Sequence, residues 1–122
     1  MKVLLSIKPQ FAELIFEGVK QFEFRKAIFK RDVKTVVVYA SSPMQRVIGE
    51  FEIDHIISDE LDSLWQKTNE HAGINEDYFY QYFADREMGF AIKIKKPIRY
   101  KIPLSLKKHF NLTPPQSFSY IH

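Results

Sequence analysis

Three charged side chains fall within six positions of the segment Gly18-Val19-Lys20-Gln21-Phe22-Glu23-Phe24-Arg25. Lysine and arginine hold phosphates, and the planar guanidinium does so with two parallel hydrogen bonds. A carboxylate beside them can accept from a ribose hydroxyl or a base amino group, or act as a general base. Lys20, Glu23 and Arg25 are therefore the strongest chemical constellation in the chain. The alternative is an amphipathic strand carrying a surface ion pair, which is common and worth little. Spacing alone leaves both open. On a regular strand Glu23 and Arg25 share a face; Lys20 points the other way unless the turn after Gly18 reorients it.

The flanking elements must position this segment. Val3 to Ile7 reads as a short strand, and Pro9 suits the first position of a helix. Phe11, Ala12, Leu14, Ile15 and Phe16 give that helix its apolar face, and Gly18 ends it. Phe22 and Phe24 then alternate with polar residues, the period of a half-buried strand. The run 35–40 is β-branched and apolar, a strand buried on both faces. Arg46 to Ile57 predicts a long strand, with Gly49 marking a bulge or bend. Leu61, Leu64, Trp65 and Thr68 share a helical face. A further helix begins near Asn75, with Tyr78, Phe79, Tyr82 and Phe83 facing the core. Gly89 to Lys95 and Ile98 to Ile102 predict two strands around a turn at Lys96-Pro97. A helical turn near 104–108 and an extended tail containing Pro114-Pro115-Gln116-Ser117 complete the pattern. This order predicts an α+β fold in one domain over residues 1–122. Its centre is a small mixed β-barrel of about six strands, with one helix after the first strand and two inserted in the middle.

Charge is distributed unevenly. The net charge is +3, but residues 1–49 carry +5, residues 50–87 carry −9 and residues 88–122 carry +7. If the two basic blocks meet, they form a face that attracts polyphosphates. A ligand should then approach over those blocks and away from the acidic helices. With 45% hydrophobic and 15% aromatic residues, the chain has ample material for a core. It contains no cysteine, which fits a reducing compartment, and a cytoplasmic location is expected. The apolar run at the N-terminus is too short for a secretory signal, and no stretch approaches a membrane span.

The spacing Gly18-x-Lys20-x-x-Glu23-x-Arg25 resembles the G-x-K-x-x-E-x-R signature of ASCH domains, relatives of the PUA fold. Lys8-Pro9, Phe11-Ala12, Ile15-Phe16, the strand Val36–Ala40, Val47-Ile48-Gly49-Glu50 and Gly89-Phe90-Ala91-Ile92 agree with it. The resemblance implies a PUA-like β-barrel with a cleft beside the first helix, lined by Lys20, Glu23 and Arg25. It places Lys8 and Ser41-Ser42 at the rim. Members bind or act on RNA or modified nucleosides, and some are described as transcription coactivator modules. One branch deacetylates N4-acetylcytidine with the motif lysine, a threonine and a distant glutamate. Glu23 stands at the threonine's position, so the hydroxyl of that chemistry is absent. Glu76 is a candidate for the distant carboxylate of such a site. Another branch is reported as ribonucleases, for which Glu23 and Lys20 supply an acid/base pair. A tail packed across the barrel mouth would bring Gln116 to the ligand.

Other features point less clearly. His55, His71, His109 and His122 lack metal-ligand spacing, so no metal and no cofactor is expected. His55, beside Ile56-Ile57, reads as a strand residue rather than a catalyst. The aromatic run 78–83 can stack bases, but its helical spacing favours core packing. Lys93, Lys95, Lys96, Arg99 and Lys101 form either a solvated surface or a phosphate track. The leading expectation is an RNA- or nucleotide-binding module. The alternatives are an RNA or nucleoside hydrolase using Lys20 and Glu23, and a protein-interaction module.

Overall fold

The computed structural model describes all of residues 1–122. Strand β1 (Lys2–Ile7) leads into helix α1 (Pro9–Phe16), and β2 (Phe22–Arg25) follows. β3 (Thr35–Ala40) and the long β4 (Arg46–Glu60) come next, then α2 (Leu61–Thr68), a 3-10 turn (Asn69–His71) and α3 (Glu76–Tyr82). β5 (Met88–Leu104), α4 (Leu106–Phe110) and β6 (Phe118–Ile121) complete the chain. No helix is long and apolar enough to cross a membrane.

The six strands form one mixed sheet in the order β2-β5-β4-β3-β1-β6. β1 and β3 run parallel, and every other pairing is antiparallel. The expected α+β class, with one early helix and two central ones, is the observed one. The barrel, however, does not close by strand pairing: β2 and β6 remain the two edges. The seam between them is bridged by side chains. Arg25 at the end of β2 donates to the Ser117 hydroxyl just before β6 at 2.6 Å. Phe29, just past β2, packs edge-to-face on Phe118 with centroids 5.8 Å apart.

Two expectations at the C-terminal side are corrected. Lys96-Pro97 does not separate two strands; β5 runs through it, with Lys96 at φ +50°. The reason lies in the pairing. β2 covers only Phe90–Lys93, so beyond Ile94 the outer edge of β5 has no strand partner. A proline there removes no needed ladder bond. Register shifts against β4 absorb the extra residues as bulges. The second correction is β6, which lies in the tail read as merely extended and pairs with β1 from Lys2↔Ile121 to Leu5↔Phe118.

Three apolar clusters flank the sheet. The largest joins Val3, Leu5, Ile15, Val36, Val38, Phe51 and Ile92 beneath α1. The second packs Phe22, Phe24 and Ala91 against Leu64, Phe79 and Phe83 of the central helices. The third sets Leu4, Val37 and Val47 under Leu106. A strict period of two would put Val47 and Phe51 on one face of β4, but they fall in different clusters. A register shift between Val47 and Gly49 breaks the period of two. At Gly49 a Cβ would meet the Ile98 carbonyl oxygen and the Phe16 ring, both at 2.5 Å, so the close approach needs glycine.

Phe79 holds the second cluster together. It is fully buried, with ring centroids 5.2 Å from Phe24, 4.9 Å from Trp65 and 5.0 Å from Phe83. Truncation removes those contacts and leaves a cavity. Phe79→Ala is expected to lower unfolding free energy by about 3–5 kcal/mol in urea denaturation.

Candidate functional site

Helix α1 stops because Gly18 takes φ +82°, a conformation other residues reach only with strain. The next two backbone amides, of Val19 and Lys20, both donate to the Leu14 carbonyl at 3.0 Å. This turn rotates Lys20 onto the side where Glu23 and Arg25 point. Gln21 then joins two neighbours: its amide donates to His71 O and its carbonyl accepts from Ile94 N, each at 2.9 Å. The motif therefore emerges from the turn already locked into the sheet.

All seven residues singled out from the sequence, Lys8, Lys20, Glu23, Arg25, Ser41, Ser42 and Gln116, line one cleft of about 710 Å³. That volume lies within the roughly 300–1,000 Å³ of small-ligand pockets. The cleft opens at the sheet seam, between the N-terminal end of α1, helix α3 and the segment Pro114–Ser117. Glu76, a candidate to complete the site, stays exposed in the first turn of α3 and does not line the cleft. His55 is exposed on β4 and sits beside Asp54 at 3.0 Å, also away from the cleft. No group of three or more His, Asp or Glu side chains gathers as a metal site.

The motif charges are buried, which separates them from a surface ion pair. Lys20 is 2% exposed, Glu23 7% and Arg25 8%. β2 is buried on both faces because its polar face forms the cleft floor. Burying charge is costly unless partners compensate. Lys20 Nζ donates to Ala72 O at 2.8 Å and lies 5.0 Å and 5.5 Å from the Phe24 and Phe11 ring centroids. Burial lowers the Lys20 pKa, and the Glu23 carboxylate acts in the opposite direction. Arg25 donates to Glu23 Oε2 at 3.2 Å and to Ser117 Oγ at 2.6 Å. Glu23 lines the cleft, and its second oxygen has no protein hydrogen-bond partner and is not fully buried. A buried group with a perturbed pKa, in a cleft beside a charge partner, marks a functional-site candidate.

Several lining residues were not picked out from the sequence. Tyr39, Tyr78, Tyr82, Lys26, Gln45 and Ser117 are the chemically capable ones. Tyr78 and Tyr82 were assigned to the core with Phe79 and Phe83. The helix divides them: the two phenylalanines are fully buried, while the two tyrosines are part-exposed in the cleft. The usable signal was the hydroxyl, since a buried tyrosine needs a partner and phenylalanine does not. Lys8 Nζ reaches the Tyr78 hydroxyl at 3.3 Å, and Lys26 Nζ lies 5.0 Å from the Tyr82 ring centroid. Burial pushes the Tyr82 phenol pKa up.

The charge expectation is corrected in part. Lys8, Lys20, Arg25 and Lys26 from the first basic block line the cleft, with Glu23 as its one carboxylate. The second basic block contributes Pro114–Ser117 but none of its lysines. Three of its cations are engaged elsewhere: Lys93 donates to Gln21, Lys96 lies 3.7 Å from Glu52, and Arg99 makes two bonds to Glu13. The acidic block is also closer than expected, since α3 forms one cleft wall. Its contribution there is Ile74, Tyr78 and Tyr82, and none of its carboxylates lines the cleft.

Gly73 was overlooked because it lies far from the motif. It sits at φ +70°, and a Cβ there would meet the Lys20 side chain at 2.5 Å. Gly73→Ala is expected to displace Lys20 and to lower stability by at least about 1 kcal/mol, read by urea denaturation. A second expectation concerns pH. Lys20 binds its proton less tightly folded than unfolded, so the unfolded state holds more protons between the lowered pKa and about 10.5. In that window Lys20 makes stability rise with pH. The difference in stability between Lys20→Met and the parent chain should therefore change across that window, measured by denaturation at successive pH values.

Comparison with known proteins agrees with this architecture. The ASCH domain profile matches residues 5–98. A curated ASCH domain-containing ribonuclease of Zymomonas mobilis is 28% identical over 127 residues, covering 98% of this chain and 84% of the relative. The large ribosomal subunit protein uL22 of Ureaplasma parvum is 26% identical over 120 residues, and the chain spans 39% of that relative's length. The crystal structure of ASCH from Zymomonas mobilis matches with a TM-score of 0.91 at 27% identity, covering 99% of this chain and 87% of that one. The chain belongs to the ASCH domain family.

Proposed function

We propose that this chain binds RNA and seats one nucleotide in the cleft at the sheet seam. The observation that carries the reading is the buried set Lys20, Glu23 and Arg25 on the floor of a cleft of nucleotide size. Arg25, Lys8 and Lys26 offer positive charge to a phosphate. Tyr78 and Tyr82 offer ring faces and edges to a base. The free oxygen of Glu23 accepts from a ribose hydroxyl or a base amino group. Support also comes from the relative named as a ribonuclease, which aligns over nearly the whole chain.

Binding through phosphates releases counterions, with a slope of about −0.7 per contact for single strands. Affinity for a short oligoribonucleotide should therefore fall with salt. Lys8→Ala and Lys26→Ala, both at exposed positions, should each flatten the slope by about 0.7. Affinity indifferent to salt and to both substitutions would contradict the reading.

The same floor supports a second reading, cleavage of the RNA, favoured by the lowered pKa of Lys20 and the unpartnered oxygen of Glu23 in the cleft lining. Glu23 takes the proton of the 2′-hydroxyl, the 2′-oxygen attacks phosphorus, and the 5′-oxygen leaves with a proton from Lys20. The products are a 2′,3′-cyclic phosphate and a free 5′-hydroxyl. Glu23→Gln should keep binding within a few-fold and slow cleavage by about 100-fold or more. Turnover unchanged in that variant rules out this chemistry and leaves the binding reading standing.

A further inference from the structure

Resting on that reading, we infer that the bound RNA strand leaves the cleft along the seam and crosses the loop of residues 26–34. The ligand would then be a polynucleotide, contacted at a second surface outside the cleft. The loop carries Lys26, Lys30, Arg31 and Lys34 against a single carboxylate, Asp32. All four cations are exposed, and none has a carboxylate within 4.0 Å.

The loop is anchored rather than loose. Phe29 and Val33 bury at 7% and 8% exposure in the main core, holding the cations between and beside them outward. The Lys30 amide donates to the Tyr120 hydroxyl at 3.0 Å. The Arg31 guanidinium lies 5.0 Å from the Tyr120 ring centroid, which leaves its N–H groups free for a phosphate.

Strand β6 sets the distance between the two surfaces. Its approach begins at Ser117, which lines the cleft and accepts from Arg25. Tyr120, where Lys30 and Arg31 sit, lies three residues further along. At about 3.3 Å per residue the two points are roughly 10 Å apart. Lys26 belongs to both, lining the cleft and opening the loop. A strand seated at Arg25 thus meets unpaired positive charge at its next phosphates. The lysines of β5 are the competing track, but they do not line the cleft and three of its cations are already engaged.

The test compares a ribodinucleotide with a ten-nucleotide oligouridylate, using the full chain. The double variant Lys30→Ala/Arg31→Ala should bind the longer probe about tenfold more weakly and flatten its salt slope by about 1.4, twice the single-contact value. Its affinity for the dinucleotide should stay within twofold. Lys95→Ala/Lys101→Ala, which removes equal charge elsewhere, should alter both affinities by less than threefold. Arg31→Lys should retain most of the binding, separating charge from the Tyr120 contact. Equal losses in the two double variants, or none in the loop variant, overturn the inference while leaving the cleft reading intact. Polyglutamate competing as well as the oligonucleotide would assign the loop to an acidic protein and overturn it. Failure of the parent chain to bind either probe would refute both.

Discussion

The Arg25 guanidinium is the contact on which the site depends. It sits at the end of an edge strand and reaches the opposite edge of the same sheet, bonding Ser117 and Glu23 at once. The sheet is curled enough for its edges to meet but not paired enough to close. A buried polar bridge in that position costs more than an apolar one unless its bonds are complete. The backbone completes them. Ser6 O receives Arg25 at 3.5 Å, Ser6 Oγ donates to Pro115 O at 2.7 Å, and the Ser6 amide donates to Ser117 O at 3.3 Å. The segment before β6 is thereby fastened to the end of β1, and its residues become a wall of the cleft.

Lys20 is held by the same logic from the other side. Its stem passes over Gly73, its ammonium meets the Ala72 carbonyl, and two phenylalanine rings flank it. The central helices thus serve the site twice. Phe79 and Phe83 bury the far face of β2, while Tyr78 and Tyr82 face the cleft. The acidic charge of that region was expected to keep ligands away, yet none of its carboxylates lines the cleft, and the two on α3, Glu76 and Asp77, are exposed. Helical periodicity allows one short helix to present an apolar stripe to the core, tyrosines to a cleft and carboxylates to water.

What was legible in the sequence was local. Gly18 at a helix end and the three motif charges were readable because each follows from backbone conformation or side-chain chemistry within a few residues. Their convergence needed the turn that carries Lys20 across. Four short tail residues, Phe118–Ile121, gave no signal as a strand because their partner, β1, lies more than a hundred residues away. Pro97 misled for the opposite reason: proline breaks a ladder only where a partner is waiting, and β5 has none on that side. The lysines of β5 were equally ambiguous, since charge counts do not reveal that Glu13, Glu52 and Gln21 come within reach of three of its cations. Tyr39 was hidden in an apolar run; it keeps the alternation of β3, sharing a cluster with Val37, and lines the cleft near the end of the strand.

The most direct measurement is an NMR titration of the chain with a short oligoribonucleotide. The signals of Arg25 Nε and of the Tyr78 and Tyr82 rings are expected to shift saturably and together. Those of Lys95 to Lys101 should stay in place. Saturable shifts confined to β5, with the cleft signals unmoved, would contradict an RNA site built on the sheet seam.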